Sequence, residues 1–376
     1  MTEPFKNFIN HELIERIGQA IQNVWDAFDA AQFVKVACAD LDAKELKERC
    51  FAVVEGLEQT LPNSFPEAAD IMMRSLHPDV PEDETFSGMT DGDGIRGWPI
   101  MAFQEYVGKH GLEHPMESLN LLREMTKRLT SEFGIRYFIE AHPTLTLRQL
   151  QAWVKDPSVH VRRLVSEGTR PRLPWGMQLK QFIKDPSPTI PLLDCLKDDT
   201  SEYVRRSVAN HLNDIAKDHP DIVCKVAETW WIDASKDRKR LIKHALRTLI
   251  KKGNPRALAI LGYGEAKISV TPIQLSKEIV LVGDTLEFSI ELSSESSEEQ
   301  ELLVDYAVHF KKANGSLSPK VFKWTQFTLG PREVRTLAKK QSFKVVSTRV
   351  LYPGEHQIEI LINGASQRTV SFELSV

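Results

Sequence analysis

The sequence predicts a mainly α protein, a HEAT-like helical-repeat solenoid followed by a C-terminal immunoglobulin-like β-sandwich. Two observations carry this. An acidic turn leading into a helix that opens on Val-Arg-Arg occurs at Val161-Arg162-Arg163 and again at Val204-Arg205-Arg206, an offset of about 43 residues that matches HEAT and armadillo units. Near Gly262 the apolar pattern then changes from helical spacing to strict alternation. The switch divides the chain into a helical domain over 1–262 and a sandwich over 265–376.

The elements follow in order. Leu13, Ile14, Ile17 and Ile21 recur at helical spacing, as do Leu46, Cys50, Val53, Val54 and Leu57, until Pro62 and Pro66 interrupt. A polar loop runs from His77 to Gly97. Its Asp91 and Asp93 lack the later glutamate of a calcium loop, so a plain surface loop is expected. Met116 to Glu140 reads as one long amphipathic helix. Helix pairs continue to about Leu261, with a looser third copy of the repeat at Asp237-Arg238-Lys239-Arg240. Beyond Gly262, alternating runs such as Leu286, Phe288, Ile290, Leu292 and Ile358, Ile360, Ile362 predict about seven strands. Asn314-Gly315 and Asn363-Gly364 are hairpin turns.

The chain of 376 residues is 41% hydrophobic and 27% charged, ample for a soluble core. A net charge of −4 alone argues against a polyanion partner. The distribution reverses that argument. Between Asn120 and Ile260 there are 26 Lys and Arg against 16 Asp and Glu, so this part carries +10 and the remainder −14. Such a local basic field attracts polyanions whatever the total. The four cysteines form no Cys-x-x-Cys pair and read as reduced, mostly buried thiols. Neither a membrane-spanning run nor a signal-peptide core is legible, so a cytoplasmic monomer is expected. The histidines have no metal-ligand spacing and no phosphate-cradling glycine loop occurs, so metal-free, cofactor-free chemistry is expected.

Three stretches are specific enough to suggest a family. They are Leu129-Thr130-Ser131-Glu132-Phe133-Gly134-Ile135-Arg136, the run from Val161 to Trp175 with its Arg/Pro/Trp elbow, and the run from Tyr203 to Asp214. Together with a sandwich tail, these resemble the AlkC branch of the AlkC/AlkD DNA alkylpurine glycosylases. The resemblance implies excision of cationic N-alkylated bases from double-stranded DNA by hydrolysis of the N-glycosidic bond, in base excision repair. Such a base leaves as a neutral molecule and asks for little acid catalysis. What needs stabilising is an oxocarbenium-like sugar, which calls for carboxylates, an aromatic face and phosphate-gripping arginines.

On that reading the catalytic candidates are Glu132, Glu167, Trp175 and Asp214. Glu132 belongs to a run charged at every fourth residue, Glu124, Arg128, Glu132, Arg136 and Glu140, which would let Arg128 and Arg136 hold it. Glu167 stands at a helix C-terminus, where the dipole disfavours a carboxylate. Where the AlkD branch has a tryptophan in its last repeat this chain has Asn210, which leaves the aromatic role to Trp175. Candidate DNA contacts are Arg136, Lys155, Arg163, Arg170, Arg172 and Asn210, with Lys311 and Lys312 in a sandwich loop. The competing reading is a HEAT-repeat scaffold that binds protein partners or nucleic acid without catalysis.

Overall fold

The computed structural model describes residues 4–78, 90–346 and 349–375, so most of the loop expected between His77 and Gly97 lies outside the described residues. The chain forms two compact units, one of residues 1–218 with 235–245, the other of 219–234 with 246–376.

The first unit is a stack of helix pairs. Helices Leu46–Thr60, Pro99–His110 and Gly134–Ala141 pack in succession, and Val159–Gly168, Glu202–Ile215 and Lys236–Ala245 continue the row. The repeated sequence signal has a mechanical meaning. The first arginine of each Val-Arg-Arg step turns back onto its own acidic turn. Arg162 donates to the carbonyls of Asp156 and Pro157, and Arg205 to those of Asp199 and Thr200. Each also crosses to the acidic turn of the next repeat, Arg162 to Asp199 at 2.7 Å and Arg205 to Asp237 at 3.1 Å. Arg123 reaches Asp156 in the same way. A series of ion pairs thus staples each repeat to its successor.

One expected helix is two. Pro115–Thr126 ends where the Thr126 hydroxyl bonds back to the Leu122 carbonyl and accepts from the Ser131 amide. The next helix starts at Gly134, and Gln104 from the neighbouring helix accepts from the amides of Phe133 and Gly134. A fully buried side chain therefore caps this helix from outside, a contact that local spacing does not reveal. Glu132 lies in the intervening turn, so the run of charges at every fourth residue is not a helix face.

The second unit holds nine strands among the described residues: β1 Ile268–Val270, β2 Gln274–Leu275, β3 Ile279–Leu281, β4 Thr285–Ser294, β5 Gln300–Lys311, β6 Leu317–Leu329, β7 Val334–Ser342, β8 Gly354–Ile362 and β9 Ala365–Ser375. In one sheet β4 pairs with β7 on one side and with β1 and β2 on the other. The second sheet runs β3-β9-β8-β5-β6, with β3 parallel to β9. Strands β2 and β3 are too brief to leave an alternating signature, and β7, exposed or half-buried along most of its length, carries no apolar alternation. Leu286, Phe288, Ile290 and Leu292 of β4 face Val304, Tyr306, Val308 and Ile360 in the core. Strand β5 is buried on both faces because Leu303 packs under Leu258 and Tyr263. Helix Pro255–Ile260, in turn, packs on Pro220–Trp231 and ties to it through Arg256 and Glu228 at 2.6 Å. These helices therefore group with the sandwich.

All four cysteines are free. Cys50 and Cys224 are buried, but Cys195 is exposed, because it lies on the outer side of the short helix Ile190–Leu196 while Leu192, Leu193 and Leu196 turn inward. Among the described residues no helix is long and apolar enough to cross a membrane.

Asn363-Gly364 is the β8–β9 turn, with φ of 48° and 77°. A Cβ on Gly364 would lie 2.5 Å from Gly253 Cα and 2.7 Å from Leu258 Cδ1. Gly364→Ala is therefore expected to lower stability by about 2 kcal/mol through both strain and overlap. Urea unfolding reads this, and an unchanged midpoint would show that the turn does not press on the helix end.

Candidate active site

Three segments of the first unit bring the predicted carboxylates together: the turn 129–133, the helix Val159–Gly168 with its following elbow, and the helix Glu202–Ile215. Their side chains form a chain of alternating charge. Glu132 Oε2 accepts from Arg163 Nη1 at 2.8 Å and from Thr130 Oγ1 at 2.9 Å. Arg163 Nη2 stands 3.5 Å from Glu167 Oε1, which also accepts from Arg170 Nη1 at 2.6 Å. Arg170 Nε continues to Asp214 Oδ2 at 2.8 Å, and Lys217 Nζ closes the chain on Asp214 Oδ1 at 2.9 Å. Three carboxylates are matched by three cations. Glu167 is 5% exposed and Asp214 2%.

Glu167 is held on both oxygens, since Ser207 donates to Oε2 at 2.6 Å. Burial alone would raise its pKa. Arg163 and Arg170, helped by the Ser207 and Arg170 hydrogen bonds, outweigh burial and hold the carboxyl below its ordinary value. Arg163 also lies 4.8 Å from the centre of the Tyr203 ring. These cations offset the unfavourable helix end that made Glu167 conspicuous in the sequence.

A cavity of about 330 Å³ opens beside the chain, and its lining includes Glu132, Glu167 and Arg170 together with Trp98, Phe133, Leu173 and Trp175. Trp175 is 62% exposed and adopts a left-handed φ of 65°, unusual for a bulky residue. Its conformation is fixed from far away, because Lys47 Nζ donates to the Trp175 carbonyl at 2.6 Å.

The other candidates separate. Arg136, expected to contact DNA and to hold Glu132, does neither. It is fully buried and donates to the carbonyls of Met177, Gly168 and Arg170, each at 2.8 Å. It is thus the internal clamp of the elbow, and burial pushes its pKa down to about 10, still charged at neutral pH. Arg128 likewise turns away from Glu132, to the His77 and Glu124 carbonyls. Lys155 is exposed, and Arg172 pairs with Asp218 at 3.0 Å. Asn210 occupies in the second repeat the place Glu167 holds in the first. Its Oδ1 lies 3.0 Å from His244 Nε2, in a groove of about 440 Å³ that also holds Arg205, Arg206 and Arg240. Lys311 and Lys312 sit at the β5–β6 hairpin of the second unit. Asp91 of the expected surface loop pairs with Arg96 at 2.8 Å.

Sequence reading missed Thr130, Ser207, Trp98 and Lys47. The first two adjoin recognised motifs and follow from asking what holds each carboxylate. Trp98 stacks on Phe8 at 4.9 Å, a long-range contact without a local signal.

Two measurements test this framework. Arg136→Met leaves three carbonyls without a donor, and a loss of about 3 kcal/mol is expected in urea unfolding; wild-type stability would refute the clamp. Behind Glu167, His211 is wholly buried, with Nδ1 donating to the Ser166 carbonyl at 2.9 Å and Nε2 unpartnered among the described residues. Burial pushes its pKa down to about 4 from an ordinary 6.5. The unfolded chain binds this proton first, so the neutral ring's contribution is complete above about pH 6.5 and is lost as pH falls toward 4. His211→Asn should flatten that part of the stability profile. Identical acid sensitivity in variant and wild type would show that His211 is not responsible.

Comparison with known proteins gives this geometry a family. Residues 269–376 match the family described as "Uncharacterised protein YhaZ, C-terminal Ig-like domain". The uncharacterized protein YhaZ of Bacillus subtilis (strain 168) is 36% identical over 371 residues, covering 98% of this chain and 99% of that protein. The solved structure of Pseudomonas fluorescens alkylpurine DNA glycosylase AlkC, bound to DNA containing an abasic site analog, superposes with a TM-score of 0.86 at 34% identity, covering 100% of both chains. A helical-repeat unit, an immunoglobulin-like sandwich and full-length likeness to both relatives agree, and the chain belongs to the family that includes YhaZ and AlkC.

Proposed function

We propose that this protein is a DNA glycosylase that hydrolyses the N-glycosidic bond of cationic N-alkylated bases, such as 3-methyladenine, in duplex DNA. The observation that carries the reading is that Glu132 and Glu167 line one cavity together with Trp98, Phe133 and Trp175. An alkylated base leaves neutral, and the remaining sugar develops positive charge. Carboxylates fixed in advance stabilise that charge without having to reorganise.

The carboxylates divide the work. Glu167 accepts from two guanidiniums and a hydroxyl, and its depressed pKa makes it a poor proton acceptor. Its role is to remain an anion beside the sugar. Glu132 engages Thr130 and Arg163 through Oε2, which leaves Oε1 to orient the attacking water. Asp214 holds Arg170 in place. Trp175 offers its face to the charged nucleotide. On this reading water is the nucleophile and the enzyme is monofunctional. Arg172, Lys155 and the Asn210 groove are the proposed contacts to the flanking backbone, with Lys311 and Lys312 contributing from the sandwich, whereas Arg163 and Arg170, expected to grip phosphate, are engaged by Glu132, Glu167 and Asp214.

Release of free base from methylated DNA by the purified protein tests the reading. Glu132→Gln should slow release at least tenfold, about 1.4 kcal/mol of barrier, with a smaller loss of stability than at Glu167, because Glu132 is the less buried of the two. Glu167→Gln should lower both rate and stability, because it disturbs a buried ion chain. Wild-type rates in both variants would sink the assignment. A wild-type protein that neither releases base nor binds short duplexes at low salt would favour the scaffold reading.

A further inference from the structure

Trp175 has two sides. Its outer neighbourhood includes a second cavity of about 360 Å³, within the range of small-molecule sites. Phe51, Met101, Glu105, Phe133, Tyr137 and Trp175 line it, and Met101, Phe133 and Trp175 also line the cavity beside the carboxylates. The two chambers therefore share walls.

Their chemistry differs. The lining of the first chamber includes Glu132, Glu167 and Arg170 and suits a cationic base and a developing sugar cation. The second presents aromatic and thioether faces with one carboxylate, Glu105, and one cation, Lys47, whose Nζ is already engaged by the Trp175 carbonyl. Its rings are held in place. Tyr137 donates to Glu105 Oε2 at 2.7 Å, and its ring lies on Gly108, where a Cβ would meet Tyr137 Cδ2 at 2.3 Å. The Lys47 bond fixes the tryptophan backbone. Phe51 is 55% exposed, an apolar ring open to solvent among the described residues.

Cleavage changes what the leaving group is. A cationic base becomes a neutral, planar purine with stackable faces and amino or ring N–H groups on its rim. Its attraction to the charged chamber falls at that moment, while its affinity for aromatic faces remains. Glu105 is placed to accept from the rim. We propose that the Phe51–Tyr137–Trp175 chamber is a product site that receives the excised alkylpurine. This rests on the glycosylase reading and adds a destination for the base.

The test is equilibrium dialysis of free 3-methyladenine against the DNA-free, full-length protein, alongside base release from methylated DNA by the same preparation. Saturable binding at one site is expected, weakened at least tenfold by Phe51→Asp and by Tyr137→Ala. Phe51 is a rim residue, so its variant folds even if the Tyr137 variant, packed on Gly108, does not. Base release without saturable binding of free base, or with binding that Phe51→Asp leaves unchanged, overturns the product site and spares the glycosylase reading. Binding of free base by a protein that releases none from DNA removes the product role together with the reading beneath it.

Discussion

The alternation Glu132–Arg163–Glu167–Arg170–Asp214–Lys217 is the constraint on which the site depends. Buried ions are poor sources of net stability, because desolvation offsets most of their attraction. Apolar side chains would pack the same interface at no loss. Six charges linked across three segments are better understood as a fixed electrostatic environment that the repeats are built to hold. The arrangement is intolerant of partial loss, since removing one partner leaves its neighbour charged and unpaired. The staples from Arg123, Arg162 and Arg205 keep the supporting helices in register around it.

Much of this was legible because the repeat is written in the sequence. A Val-Arg-Arg step puts two arginines about 100° apart on one helix, so they cannot serve the same surface. Arg162 faces the turns and staples, while Arg163 faces Glu132 and Glu167. Glu167, Asp214 and Trp175 stood out by their odd placement on a helix end, a shared face and an elbow. The missed features all depend on distant partners. Arg136 shares the spacing of its charged neighbours, yet its guanidinium points inward to three carbonyls. The helix that starts after the break is capped by Gln104, about eight helical turns' worth of sequence away. Lys47 reaches Trp175 across 128 residues.

The sandwich illustrates the same limit. Alternation identified β4, β5, β6, β8 and β9 but not β7, whose faces are exposed or half-buried along most of its length, and the asparagine–glycine turn at Asn363-Gly364 is present with positive φ at both residues. Strand β5 departs from alternation because its outer face is covered by helix Pro255–Ile260 through Leu258 and Tyr263. A continuous apolar run there signals a covered strand rather than an irregular one.

The cancellation of charge within the ion chain has a kinetic consequence. Three anions and three cations in alternation carry no net monopole, so their field decays over a few ångströms and does not reach a polymer approaching from solution. Long-range attraction must arise from the surplus lysines and arginines elsewhere between residues 120 and 260, where 26 basic residues oppose 16 acidic ones. Capture and chemistry are thereby assigned to different charges. Added salt screens the first over a Debye length and leaves the buried set almost untouched, so ionic strength governs how often the protein meets its partner and hardly alters what happens once they have met.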